Sequence, residues 1–365
     1  MKVCHMTSAH PKEDSRIFFK ECVSLANAGH EVYLVGKGDS YEKHGVHMIG
    51  VGEESRGRFD RMFRFSRVVC QAAIGLDCDI YHFHDPELLP YCLKLKRAGK
   101  TVVFDSHEDV PAVIMSREWI PKPLRYLVSR VYRALETIIV RKLDAVVAAT
   151  PHIERQFQGR TGKTATVRNY PLLRTSGEPL EHHKRTLQLG YTGVRISPDR
   201  GAAQMVKAAS AAKARLDAYG TVKPAELKQE LEQMDPDGYV TFHGLVPFEE
   251  LQQQMENMKI GLLVEHPTQN GVNALCIKMF EYMLHGMALI VSDFPLWREI
   301  VTEADCGVCV DPFDVDAISR AITELLADEK RTAQMGMNGY RAVLDRYNWK
   351  AEEKKLLSLY GSFGK

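Results

Sequence analysis

Short apolar runs recur along this chain, separated by longer stretches with a helical period. Lys2–Met6, Glu31–Gly36, Asp79–Phe83, Lys100–Asp105 and Leu143–Ala149 have the length and β-branched content of buried strands. Between the first two, the apolar spacing predicts a helix from about Ile17 to Ala28, stopped by Gly29. Leu172–Lys184 holds Pro, Gly, Ser, Glu and two His without apolar periodicity and reads as a linker. The alternation then resumes with strands at Thr186–Thr192, Ala214–Tyr219, Val240–Phe242, Ile260–Val264 and Ala288–Val291. A helix is expected near Ala202, another at about Ala274–Leu284 closed by His285-Gly286, and a last one at Trp349–Tyr360. This is the pattern of an α/β protein, and 365 residues suit two domains.

Open α/β sheets bind ligands at the carboxyl ends of their strands, so the polar residues there are the candidates. In the second half, Gly193–Gly201 carries Arg195 and Arg200, whose guanidinium forks suit a diphosphate and also suit an ordinary surface loop. The loop His266–Asn273 places free N–H groups and a positive helix end where an anion can sit. Lys278 and Glu281, three apart, share a helix face. A cation for phosphate beside a carboxylate for sugar hydroxyls fits a nucleotide-sugar; a solvated pair on a structural helix fits equally. In the first half, His10-Pro11-Lys12-Glu13-Asp14-Ser15-Arg16 follows the first strand without the glycines of a dinucleotide fingerprint. It is a polar site or a plain surface loop. Two later strand ends deliver His84-Asp85 and His107-Glu108, a repetition that favours polar chemistry.

Composition adds limits. With 45% apolar and 26% charged residues the chain is globular, and no apolar run approaches the length of a membrane span. The start at Met1-Lys2-Val3, directly on a strand, predicts no signal peptide, and eight scattered Cys suggest reduced thiols of a cytosolic protein without a zinc site. A net charge of +1 hides an asymmetry: residues 1–175 carry 27 Lys and Arg against 20 Asp and Glu, and the rest 21 against 27. Two segments supply most of the excess. In the first, Arg56, Arg58, Arg61, Arg64 and Arg67 interleave with Phe59, Met62, Phe63 and Phe65. In the second, Arg117–Lys142, basic and aromatic residues alternate likewise. Each is either a surface for anionic membrane or a solvated exterior. No nucleic-acid partner is expected.

Several of these motifs carry a resemblance. Asn273-Ala-Leu-Cys-Ile-Lys278-Met-Phe-Glu281-Tyr-Met283, followed by Gly286, a strand and Ser292-Asp293, resembles the donor-binding signature of glycosyltransferase family 4. That retaining family of GT-B fold includes a subgroup with Asn-x-Leu-x-x-Lys-x-Phe-Glu-Tyr-Met. Glu281 matches the second acid of the family's Glu-x7-Glu, and Asn273 stands where the first would be. His-Pro-x-x-Asp-Ser-Arg-Ile-Phe, Asp-Ser-His-Glu and the Asn169-Tyr170-Pro171 close are similar to the same subgroup. Arg195-x4-Arg200 replaces the family's Arg-x4-Lys, with a cation kept at both places.

The resemblance implies two Rossmann-like domains facing across a cleft. Residues 1–171 would bind the acceptor, 172–185 link, 186–345 bind the donor, and 346–365 form a helix crossing back to the first domain. It implies transfer of a sugar, with retention, from a nucleoside diphosphate sugar (UDP-sugar favoured over GDP-sugar). The acceptor would be a glycan or lipid-linked, in cell-surface polysaccharide or glycoconjugate synthesis at the inner face of the membrane. His107 would lie beside the donor sugar, Arg195 and Arg200 on the diphosphate and Glu281 on the ribose. Gly193, Val246, Gly271, Val272, Asn273 and Lys278 would complete the donor site. His10, Asp14, Arg16, His84, Asp85 and Glu108 would lie toward the acceptor. No cofactor or metal is implied. A nucleotide-sugar epimerase of the same fold and a non-catalytic nucleotide-sugar-binding partner subunit are the other readings.

Overall fold

The computed structural model describes residues 1–52, 57–117, 119–173, 177–268 and 271–364, Arg58 by its backbone alone. The chain divides into two compact units, Met1–Asn169 with Trp349–Lys365, and Tyr170–Asn348.

The first unit holds an eight-stranded sheet: β1 (Lys2–Met6), β2 (Glu31–Gly36), β3 (Tyr41–Lys43), β4 (Val46–Gly50), β5 (Ile80–Phe83), β6 (Thr101–Ser106), β7 (Ala145–Ala148) and β8 (Thr164–Thr166). Their order is β3-β4-β2-β1-β5-β6-β7-β8, parallel except for the β3–β4 hairpin. That hairpin turns on His44 and Gly45, both at positive φ, as tight two-residue hairpin turns require. The winding direction reverses between β1 and β5, the switch point where such sheets take ligands.

Strand alternation sorts the side chains into two layers. Cys4, Met6, Tyr81, Phe83, Val102 and Phe104 fill one core layer. Val3, Ile80, Val103 and Ala145 fill the other, closed by Trp349, Leu356 and Tyr360 of the C-terminal helix Trp349–Gly361. Two residues further along the same face come His5, His82 and Asp105, then His84, all buried. A polar patch thus lies where the pattern calls for aliphatic residues. The helix predicted from Ile17 winds as a π-helix through Ile17–Cys22 before becoming α-helical at Val23–Asn27. Its wide turn brings Arg16 and Glu21 to the same side, with Arg16 Nε 3.0 Å from a Glu21 carboxylate oxygen above the patch.

The second unit holds six parallel strands: β9 (Leu187–Ile196), β10 (Leu216–Val222), β11 (Val240–Gly244), β12 (Met258–Leu263), β13 (Ala288–Ser292) and β14 (Gly307–Val310). Their order, β11-β10-β9-β12-β13-β14, puts the switch point between β9 and β12. β9 runs past Thr192, where the sequence ends it, because pairing to β10 resumes at Thr221↔Arg195 beyond an irregularity. A Cβ on Gly220 would sit 2.2 Å from the Gly193 carbonyl oxygen, so the backbones approach there as only glycine allows. The helix predicted from Ala274 begins at Ile277: Gly271–Asn273 makes a turn of its own, and Cys276 is extended. Arg185, at the end of the predicted linker, is buried and donates to the carbonyls of Leu180, Met258 and His285 at 2.9, 2.6 and 2.7 Å. Among the described residues no helix is long and apolar enough to cross a membrane.

Candidate active site

At the carboxyl ends of β9 and β12 the second unit has a pocket of about 800 Å³. Gly193, Arg195, Arg200, Val246, Lys278 and Glu281 line it, beside Tyr191, Leu245 and Phe248. Gly271, Val272 and Asn273 do not; they form the separate turn ahead of the Ile277–Leu284 helix.

Arg200 closes a helical turn, Pro198–Arg200, that leads through Gly201 at φ 70° into the helix Ala202–Ala211. A Cβ on Gly201 would meet the Val264 carbonyl oxygen at 1.9 Å. Glycine is what lets Arg200 stand directly over the end of β12. The residue it meets there is Glu265, which sequence reasoning assigned to no role because one acid opening a polar loop carries no spacing signal. One oxygen of the Glu265 carboxylate accepts from Arg200 Nη1 at 2.5 Å and the other from Lys278 Nζ at 2.9 Å. Lys278 also lies over the Tyr191 ring, 4.6 Å from its centroid, and the Tyr191 hydroxyl donates to the Arg195 carbonyl at 3.1 Å. Arg195, more exposed, pairs with Asp199 at 3.5 Å. Burial opposes the charge on Lys278, but Cys276, Tyr191 and Glu265 hold its ammonium above the usual lysine range. Burial likewise opposes the Glu265 charge, and Lys278 and Arg200 hold that carboxyl low. All three are therefore ionised at neutral pH.

In the first unit the switch point gathers the other candidates. Asp85 follows β5 and binds the loop after β1: one oxygen accepts from Thr7 Oγ1 at 2.8 Å and from the N–H groups of Ser8 and Ala9 at 2.6 and 3.1 Å. The other lies 3.0 Å from His10 Nδ1. Burial works against the Asp85 charge, yet the bonds from His10, Thr7 and Ser8 keep its carboxyl well below the usual range. Asp105 is the hub beneath. It accepts from Arg16 Nε and Nη2 at 2.8 and 2.9 Å and lies 2.8 Å from His107 Nε2 and 3.2 Å from His84 Nδ1. Burial lowers the His84 imidazole to about 4, so it is neutral above that pH. Asp14 accepts from the N–H groups of Arg16 and Ile17, starting the helix.

These partners separate two kinds of residue. His10 and His107 are half-buried, and Glu108 is exposed. Arg16, His84 and Asp85 are buried to 3% exposure or less and bond other protein groups, so they hold the loops that carry the first three. Arg16 and Asp85 keep their charges on protein partners, and the neutral His84 lies between His5 and Asp105.

Two family models divide the chain. Residues 18–169 match Glycosyltransferase Family 4, and residues 187–342 match Glycosyl transferases group 1. The chain is a family 4-like glycosyltransferase. A GDP-mannose-dependent alpha-(1-6)-phosphatidylinositol monomannoside mannosyltransferase from Mycolicibacterium smegmatis shares 34% identity over 88 residues. That alignment spans 24% of this chain and 23% of the relative's length. Sucrose-phosphate synthase from Thermosynechococcus elongatus superposes with a TM-score of 0.78 at 17% identity, covering 99% of this chain and 98% of its own. Anabaena HepE in complex with UDP and glucose gives 0.71 at 14%, covering 99% and 100%. The glycosyltransferase thus has the GT-B fold.

Other motifs in this glycosyltransferase have structural partners. Three Asp-x-Asp triplets occur, each with an acid fixed by a neighbour: Asp79 accepts from the Lys2 N–H, Asp235 from Val240 and Asp314 from Ala317. Cys306 and Cys309 have a Cys-x-x-Cys spacing; both are free thiols, pushed by burial to about 12 and 11. Two groups, His5–Glu21–His82–His84 and His84–Asp105–His107, lie close enough to share a cation. The Arg16 guanidinium already sits on Glu21 and Asp105.

Proposed function

We propose that this glycosyltransferase transfers a sugar, with retention of configuration, from a nucleoside diphosphate sugar held by the second unit. The acceptor, a glycan or a lipid-linked sugar of cell-surface glycoconjugate synthesis, is taken by the first. One observation carries the reading: Arg195, Arg200, Lys278 and Glu281 surround a single pocket at the β9/β12 switch point. The cations stabilise the charge that develops on the departing diphosphate, the largest electrostatic demand of such a transfer, without a divalent metal. Glu281 accepts from the ribose hydroxyls. As the bond between the anomeric carbon and the phosphate oxygen breaks, that oxygen takes the acceptor's proton, and the acceptor oxygen bonds the same face of the sugar. His107 stands beside the sugar in this scheme, its ring set by Asp105.

A thermal-shift screen of UDP-, GDP- and ADP-sugars, followed by NMR of the anomeric product, tests it. UDP-sugars are expected to bind best, and the partial likeness to a GDP-mannose enzyme supplies the competitor. Retained configuration with activity surviving a chelator supports the scheme; inversion, or loss of activity restored by a divalent ion, overturns it. An isomerised donor in the absence of acceptor would mark an epimerase instead. Failure to bind any nucleotide-sugar removes the donor reading. Glu281→Ala is expected to weaken nucleoside diphosphate binding by roughly 2–4 kcal/mol, the worth of charge-assisted bonds to two hydroxyls. Calorimetry showing unchanged affinity would take Glu281 off the ribose.

A peripheral membrane site for the first unit belongs to the same reading, with a changed emphasis. Of the two basic segments, Arg56 and Glu118 lie outside the described residues. Arg61 bonds Glu87 and Arg64 bonds Asp60, so two of the expected charges are matched within the protein. Exposed apolar side chains stand among the remaining exposed cations, such as Arg67, Lys122 and Arg130. On the helix Lys122–Val140, Leu124, Leu127, Val131, Leu135 and Ile138 follow one another at helical spacing, all about half exposed, and Phe59 and Phe63 are more exposed still. Such a stripe fits a lipid headgroup boundary, with nearby Lys and Arg adding about 1 kcal/mol each at an anionic surface. Sedimentation with phosphatidylglycerol vesicles is expected to bring the protein down, less so at high salt and far less for Leu127→Glu with Leu135→Glu. Equal recovery with and without vesicles rules the membrane site out.

A further inference from the structure

Two cations aimed into one pocket repel each other and would splay toward solvent unless something between them fixes both. We infer that Glu265 is the positioning residue that holds Arg200 and Lys278 as one diphosphate-binding pair; this rests on the donor pocket proposed above. Each carboxylate oxygen serves one cation, at 2.5 and 2.9 Å. The Glu265 side chain is buried and is not among the pocket-lining residues, whereas both cations are. It therefore acts on a ligand only through them. Its backbone is fixed: the Ser292 hydroxyl donates to its carbonyl at 2.6 Å, and the next N–H, of His266, donates to Asp199 at 3.0 Å. The anchor is thus tied to β13 on one side and to the arginine loop on the other. The two cations come from separate segments, Arg200 before the Ala202–Ala211 helix and Lys278 in the Ile277–Leu284 helix. Glu265 is what sets their separation.

Glu265→Gln keeps the size and removes the charge. Its kcat with a saturating donor is expected to fall about 30- to 100-fold, approaching the loss of one transition-state charge stabiliser, while nucleoside diphosphate affinity changes less than about fivefold. Glu265→Asp, which keeps the charge on a shorter arm, is expected to recover about tenfold of that loss. In a Lys278→Met background, Glu265→Gln is expected to add less than about threefold, because partners in one ion network are not additive. A Glu265→Gln enzyme within threefold of wild type, or a full additional loss on Lys278→Met, overturns the positioning role. If Arg200→Ala and Lys278→Met are slow in that case, the donor pocket stands; if both also run at the full rate, the pocket assignment has failed with it.

Discussion

Replacing Arg200 by Ala is expected to lower turnover by about two to three powers of ten, the scale of losing one preorganised transition-state stabiliser. The expectation follows from where the guanidinium is held. Gly201 lets the turn press onto β12, Glu265 fixes Nη1, and the side chain lines the pocket. Arg200 is partly exposed, and its removal leaves Glu265 with Lys278 as its counter-ion, so the variant should fold. The loss should appear in kcat at saturating donor, since binding keeps Arg195 and Lys278. A folded variant with near-normal turnover would remove Arg200 from the diphosphate.

The second large effect concerns stability. Asp105→Ala should destabilise the first unit by about 3 kcal/mol, the lower end of the usual loss when one partner of a buried ion pair is removed. Arg16 and Asp105 are both inaccessible and share two bonds, so the guanidinium loses its main counter-ion. The loss stays at the low end because a substitute is present. Burial, with the Asp105 charge beside it, pushes the Glu21 carboxyl well up; removing Asp105 takes away the charge that opposes its pairing with Arg16. In a unit of this size the change amounts to roughly 6–12 °C in melting temperature. The sign with pH follows from the depressed Asp105 carboxyl. Its stabilisation is present above the unfolded value of about 4 and fades only as pH falls through the lower folded value. Calorimetry at pH 7 and 5 should therefore show nearly the same difference between variant and wild type. Equal melting temperatures would mean that Asp105 contributes nothing net.

Strands were legible where burial on both faces forces apolar runs, as at Glu31–Gly36 and Ala288–Ser292. The edge strand Tyr41–Lys43 was not, because three residues carry too few apolar positions to show alternation. In the site, Arg195, Arg200, Lys278 and Glu281 could be read because each sits in a motif of fixed spacing. Glu265 could not, since its meaning comes from two cations 65 and 13 residues away that only the fold assembles. Arg16 shows the converse. Its motif drew attention to it, but burial against Asp105, 89 residues on, is a property no local pattern reveals.

The C-terminal helix has a consequence for how the protein is made. The first unit is discontinuous: Trp349 donates to Ser24, and the Tyr360 hydroxyl lies 2.8 Å from His82 Nδ1 inside the polar patch. A nascent chain emerging from the ribosome has every strand of that sheet by Asn169 yet lacks the piece that seals one face. At about 5–20 residues per second, synthesis of the whole second unit holds that face open for roughly 10–40 s. During that interval the histidine-lined patch and its aliphatic surround are exposed to chaperones and to neighbouring nascent chains. The helix translated after the second unit is therefore the one that commits the first unit to its native state.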